Sequence, residues 1–146
     1  MARFFTLDQA HALLPLVERN FRQVLALRLR HQQAEEELAE VDRLVRTMGG
    51  MLIDRQKVSG MRTRRDAAVS GLSELIGEIQ QWGCIVKDLD TGLCDFPTLY
   101  RGQEVYLCWK LGEGRIEYWH GVHEWFRGRK PVDRDFLDHH RGDLPD

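Results

Sequence analysis

Along the first half of the chain apolar residues recur at steps of three and four, and along much of the second half at steps of two. Val17, Phe21 and Val24, then Leu38, Val41, Val45 and Met48, form an apolar stripe at each end of a run from Leu16 to Met48 that contains neither Gly nor Pro. This predicts one long helix with a polar centre. Thr6 and Gln9 have the spacing of a capping box, which starts the helix near Leu7. Pro15 lacks an amide proton, so it either kinks this helix or opens a second one. Gly49 and Gly50 end it, and a loop is expected through Gly60. Arg65, Val69, Leu72, Ile76 and Ile79 then alternate in fours and threes, continued by Trp82 and ended by Gly83. Two such stripes are removed from water together if the helices pack as an antiparallel hairpin over about residues 6–83.

After Gly83 the period becomes two. Ile85 to Asp88, Leu93 to Thr98, Glu104 to Trp109 and Ile116 to His120 are short runs rich in β-branched and aromatic residues. Asp90-Thr91-Gly92, Tyr100-Arg101-Gly102 and Gly112-Glu113-Gly114 separate them, which predicts a four-stranded antiparallel meander over about 84–120. Symmetric closure of each turn pairs Lys87 with Asp95, Asp95 with Tyr106, and Tyr106 with His120. One face then carries Val86, Cys94, Phe96, Val105, Leu107, Trp109 and Trp119, an apolar set suited to cover the hairpin. The other carries Lys87, Asp95, Tyr106, Cys108, Tyr118 and His120, bordered by Ile85, Leu93 and Ile116. The expected fold is therefore α+β, a long helical hairpin on one face of the meander. It forms a single domain over 1–146, with a short segment and tail at 121–146 that frays from Asp133.

Composition narrows the class. The 146 residues hold 21 Lys and Arg against 23 Asp and Glu, a net charge of -2, so nucleic acid is disfavoured as a partner. With 42% apolar residues a folded chain is expected, and no apolar stretch has the roughly 20 residues of a membrane span. The first twenty residues offer no leader peptide, and the three cysteines include no C-x-x-C pair, so a cytoplasmic chain with reduced thiols is expected. Val24, Leu25, Leu27 and Leu29 present apolar groups on more than one side of the first helix, which points to a homodimer through the long helices.

The candidate functional face comprises Lys87, Asp88, Asp95, Tyr106, Cys108, Glu113 and His120, because acid, base, thiol and phenol fall there side by side. Asp95, His120 and His123, with Glu124 or Cys108 within reach, could hold a divalent metal such as zinc. The H-x-x-H-E spacing is not the helical motif of metalloproteases. Its bland rival is a satisfied cross-strand network in which His120 donates to Asp95 or Tyr106. Asp88 and Asp90 also suit the local hydrogen bonding of a turn. Cys108 and His120 sit two positions offset on adjacent strands, which favours a buried structural thiol over a nucleophile. Arg62, Arg64 and Arg65 form a basic cluster expected to face Glu40 and Asp42. Arg127, Arg129 and Lys130 form another, and Trp125 and Phe126 are expected to be exposed. The first functional reading is a non-enzymatic binding or assembly module. The alternative is a metal-binding protein or metal-dependent hydrolase around Asp95 and His120, and the residues do not decide whether the chain is an enzyme.

The run KDLDTGLCDFPTLYRGQEVYLCWKLGEGRIEYWH from Lys87 to His120, with FTLDQAHALLPLV from Phe5 to Val17 and GRKP from Gly128 to Pro131, resembles an uncharacterised bacterial family, domain of unknown function 2203. The blocks K-D-x-x-x-G-x-x-D-F-P, C-W-x-x-G-E, W-H and G-R-x-P occur in the family's order. The resemblance implies Lys87, Asp88, Gly92, Asp95, Phe96, Pro97, Cys108, Trp109, Glu113, Trp119 and His120 as motif positions. It implies no activity.

Overall fold

The computed structural model describes residues 3–49 and 53–146, so Gly50 lies outside the described residues. Helix α1 spans Leu7–Met48 and α2 spans Arg55–Gln81. The capping box forms as its spacing predicts: the Gln9 amide donates to Thr6 Oγ1 at 3.1 Å and the Thr6 amide donates to Gln9 Oε1 at 3.0 Å. Pro15 is accommodated inside a continuous α1. Gly49, at a φ of 77°, follows its last turn. The expected loop ends sooner than Gly60, because the Asp54 carboxylate accepts from the amides of Gln56 and Lys57 and starts α2 at Arg55.

The chain forms two compact units, one of Arg22–Leu75 and one of the residues through Phe21 with Ile76–Asp146. In the first, the helices meet along Val24, Ala34, Met61 and Ala68, all buried. The seam runs through Ala68, whereas Val69 is 50% exposed, which corrects the predicted stripe. The small Ala side chains and Gly71, where an added Cβ would stand 2.7 Å from Leu27, let the backbones approach closely. Arg64 and Arg65 pair with Glu37 and Glu35 at 3.2 and 3.7 Å, one to two turns before the expected Glu40 and Asp42. Val45 and Met48 at the far end of the α1 stripe are exposed, against expectation.

In the second unit the ends of α1 and α2 pack on an antiparallel sheet, giving the α+β class. Its strands are β1 Ile85–Asp88, β2 Leu93–Tyr100, β3 Gln103–Lys110, β4 Tyr118–Gly121, β5 Lys130–Pro131 and β6 His140–Arg141. The order is β1-β2-β3-β4-β5, with β6 pairing β2. The predicted four-stranded meander is thus extended by two short strands. Phe5, Leu14, Val17, Phe21 and Ile79 bury themselves against Cys94, Phe96, Val105, Leu107 and Trp109. The rings of Phe5 and Phe96 meet edge to face at 5.5 Å.

The two faces are divided as the alternation predicts except at Ile116, which precedes β4 and is buried in the helix-facing core, and two pairings are shifted by two residues. Asp95 stands opposite Ile85 and Cys108, where Lys87 and Tyr106 were expected, while Tyr106 does pair with His120. A bulge between Val86 and Asp88 shifts the first pairing, and β2 and β3 run on to Tyr100 and Gln103 to close a tighter turn. A slip of two preserves each side chain's face, so the candidate set stays together. The tail is not frayed. Asp133 caps helix α3, Arg134–His139, by accepting from the Phe136 amide at 2.9 Å. Phe136 is fully buried between Tyr100, Trp119 and His140. The outer edge of β2 is covered in succession by β1, by the Phe5 amide donating to Pro97 O at 2.7 Å, and by β6.

Candidate metal centre

Asp95, Cys108 and His120 come from the middles of β2, β3 and β4, and alternation points all three away from the helices. Asp95 and Cys108 are direct cross-strand partners. His120 is offset two positions from Cys108, as the sequence implied, yet the imidazole crosses that gap. One potential ligand atom from each of the three lies within 4.8 Å of the others. All three residues are buried, Asp95 and Cys108 completely and His120 to 4% exposure. The centre of this face is therefore interior, where a functional surface was expected, while Lys87 at its edge stays exposed.

The segment after β4 covers it. Arg129 lies 4.2 Å over the Tyr118 ring and 3.9 Å over that of Phe126, and its Nη1 donates to both Glu113 carboxylate oxygens. Glu124 ties the segment down by accepting from the Gly121 amide at 2.9 Å and from Lys130 Nζ at 2.7 Å, and these donors hold its carboxyl below the usual range.

His120 is oriented by its own backbone. A carbonyl only accepts, so Nδ1 at 2.8 Å from Gly121 O carries a proton, and Nε2 faces Asp95 Oδ1 at 3.1 Å. Burial pushes the imidazole pKa down, but hydrogen bonds to Asp95, Cys108 and Gly121, with the Asp95 charge, outweigh it and raise it to about 10. The other Asp95 oxygen, Oδ2, is buried and has no hydrogen-bond partner, an uncommon state for a carboxylate. Cys94 differs from Cys108. It faces the hydrophobic core beside Cys84, where burial pushes its thiol well above the usual range.

The remaining candidates divide. Tyr106 is buried beside His120, its ring 5.6 Å from the imidazole, and burial raises its phenol pKa. Lys87 is exposed with Nζ 5.3 Å over the Tyr106 ring. Asp88 accepts from the Asp90 amide and the Thr91 hydroxyl, which is the turn role. Glu113 serves Arg129 and the Lys110 amide, away from the three ligand atoms. His123 is exposed, on the rim of a cavity of about 750 Å³ whose walls include Asp95 and His120. It is not one of the three groups brought together. The sequence reading missed the part played by Arg129, which it grouped only with basic neighbours. The G-R-x-P block was the available signal. Trp125, at 82% exposure, and Phe126 also border this cavity.

Among the described residues no helix is long and apolar enough to cross a membrane. No curated protein and no solved structure matches the chain. The family model described as "Uncharacterized conserved protein (DUF2203)" matches residues 3–132, and the chain belongs to that family.

Proposed function

We propose that this protein binds a divalent transition metal, with Asp95, Cys108 and His120 as its protein ligands and zinc as the ion their chemistry suits best. The observation that carries the reading is the buried, unpartnered Asp95 Oδ2 beside an imidazole whose Nδ1–H is fixed by Gly121 O, leaving Nε2 aimed at the carboxylate and thiol. A backbone carbonyl on the far ring nitrogen is the usual outer support of a metal-bound His. Tetrahedral bonds of about 2.0 to 2.3 Å put ligand atoms roughly 3.3 to 3.8 Å apart, so separations within 4.8 Å need little contraction. A carboxylate, a thiolate and an imidazole with a fourth position towards a cavity form the open type of zinc site, the type used in hydrolysis. Without metal, the same groups form an imidazolium–carboxylate pair.

Elemental analysis of untagged protein after zinc loading and desalting tests this reading. About one zinc per chain is expected, lost in Asp95→Asn, Cys108→Ser and His120→Ala. Cobalt loading should give a near-ultraviolet thiolate charge-transfer band that Cys108→Ser abolishes. A wild-type chain that retains no stoichiometric metal overturns the reading.

A second reading, a binding or assembly module without chemistry, is favoured by the exposure of Trp125. Leu29 and Val69, exposed at 55% and 50%, support self-association through the long helices. Sedimentation at tens of micromolar should then give a dimer, and a monomer alone removes that part.

A further inference from the structure

The cavity beside Asp95 and His120 has an unbalanced rim. Two of its acids are paired with cations, Asp95 with His120 at 3.1 Å and Glu124 with Lys130 at 2.7 Å, while Asp88 accepts only from neutral donors, the Asp90 amide at 2.9 Å and Thr91 Oγ1 at 3.1 Å. Two bases on it, Lys87 and Arg127, are exposed, and neither has an ion-pair partner among the described residues. Lys87 Nζ stands over the face of Tyr106, a contact that keeps the charge beside the cavity without neutralising it. The lining also includes the apolar Leu93, Val122, Trp125 and Phe126. The volume of about 750 Å³ lies within the roughly 300–1,000 Å³ of small-molecule sites.

We propose that this cavity binds a small organic anion, its flat apolar body against Trp125 and Leu93 and its anionic group between Lys87 and Arg127. The inference rests on the metal reading for one further element, that the anionic group also faces the ion held by Asp95, Cys108 and His120. A cationic ligand is opposed by two free cationic heads against the single unpaired Asp88 carboxylate, and a neutral one leaves them unused. Charge-assisted hydrogen bonds are the stronger kind, so exchanging a carboxylate for its neutral amide should be felt directly in affinity.

The probes are 2-naphthoate and its neutral counterpart 2-naphthamide, titrated calorimetrically into the full chain in chelator-treated and zinc-loaded forms. The carboxylate should bind about tenfold or more tightly than the amide in both forms. The ratio should be larger with zinc. The double variant Lys87→Met/Arg127→Met should bring the chelated ratio near one, and Trp125→Ala should weaken both probes and keep the ratio. A wild-type ratio near one, or a chelated ratio that survives the double variant, overturns the proposal. An equal ratio with and without zinc overturns the contact with the ion. If zinc is not taken up, the metal reading falls and the chelated ratio alone decides the anion; if zinc binds and the ratio is one, the anion inference falls alone.

Discussion

Arg129 Nη1 donates to both carboxylate oxygens of Glu113, at 3.0 and 3.1 Å, across sixteen residues of chain. The two side chains are 14% and 24% exposed, so the pair works largely out of water. Through it the turn between β3 and β4 holds the cation that lies over the Tyr118 and Phe126 rings. Glu113→Ala should cost about 1–3 kcal/mol on chemical denaturation, since it frees a charged donor and the Lys110 amide together. An unchanged denaturation midpoint would detach Glu113 from this role.

The pairing of His120 with Asp95 makes a prediction about pH in chelator-treated protein. The folded imidazole titrates near 10, above its ordinary value of about 6.5. A raised pKa contributes stability that is complete below the unfolded value and lost as pH rises through the folded one. The stability advantage of wild type over His120→Asn should therefore be full near pH 6, shrink above that and be gone by about pH 11. Denaturant midpoints across this window check it, and a difference that grows with pH would contradict it.

Phe136 should behave as a core residue although it lies ten residues from the end of the sequence. It is 0% exposed and stacks on Trp119 and His140, each at 5.2 Å between ring centres. Phe136→Ala should cost about 3–5 kcal/mol in a denaturation experiment. A cost under about 0.5 kcal/mol, the range of surface substitutions, would return the segment to the status of a loose tail.

On α2, neighbouring positions should respond oppositely. Ala68 is 3% exposed and Val69 50%. Ala68→Leu should destabilise by about 1–3 kcal/mol through overpacking, while Val69→Ala should stay within about 0.5 kcal/mol. Thermal or urea unfolding of the two variants separates them.

That contrast marks where the sequence stops being legible. A heptad reading chooses the larger aliphatic residue, Val69, whereas close helix packing chose the smaller one beside it. The start of α1 was readable because Thr6 and Gln9 encode it locally, and the sheet faces because a period of two survives the two-residue shift of Asp95. The bulge after Val86 depends on partners rather than local residues. The tail was misread because its acidic residues hide a cap, Asp133, three residues before the one aromatic that anchors it. At the candidate centre, the spacing of strands suggested that Asp95 and His120 could meet. It did not indicate that the segment after β4 would fold back beside them, since that depends on Arg129 seating over the Tyr118 and Phe126 rings.

The patchwork along the outer edge of β2 has a consequence for solubility. An eight-residue strand rich in buried side chains is the kind of edge to which another chain can add a strand of its own. Here three pieces from different parts of the sequence occupy it in turn: Ile85–Asp88, the amide of Phe5, and His140–Arg141. Loss of the last piece uncovers Leu99 and Tyr100, which pair with it. The residues of β6 thus shield this edge from intermolecular sheet growth, and proteolytic nicking after α3 would open it to a second chain while also removing His140 from its stack on Phe136.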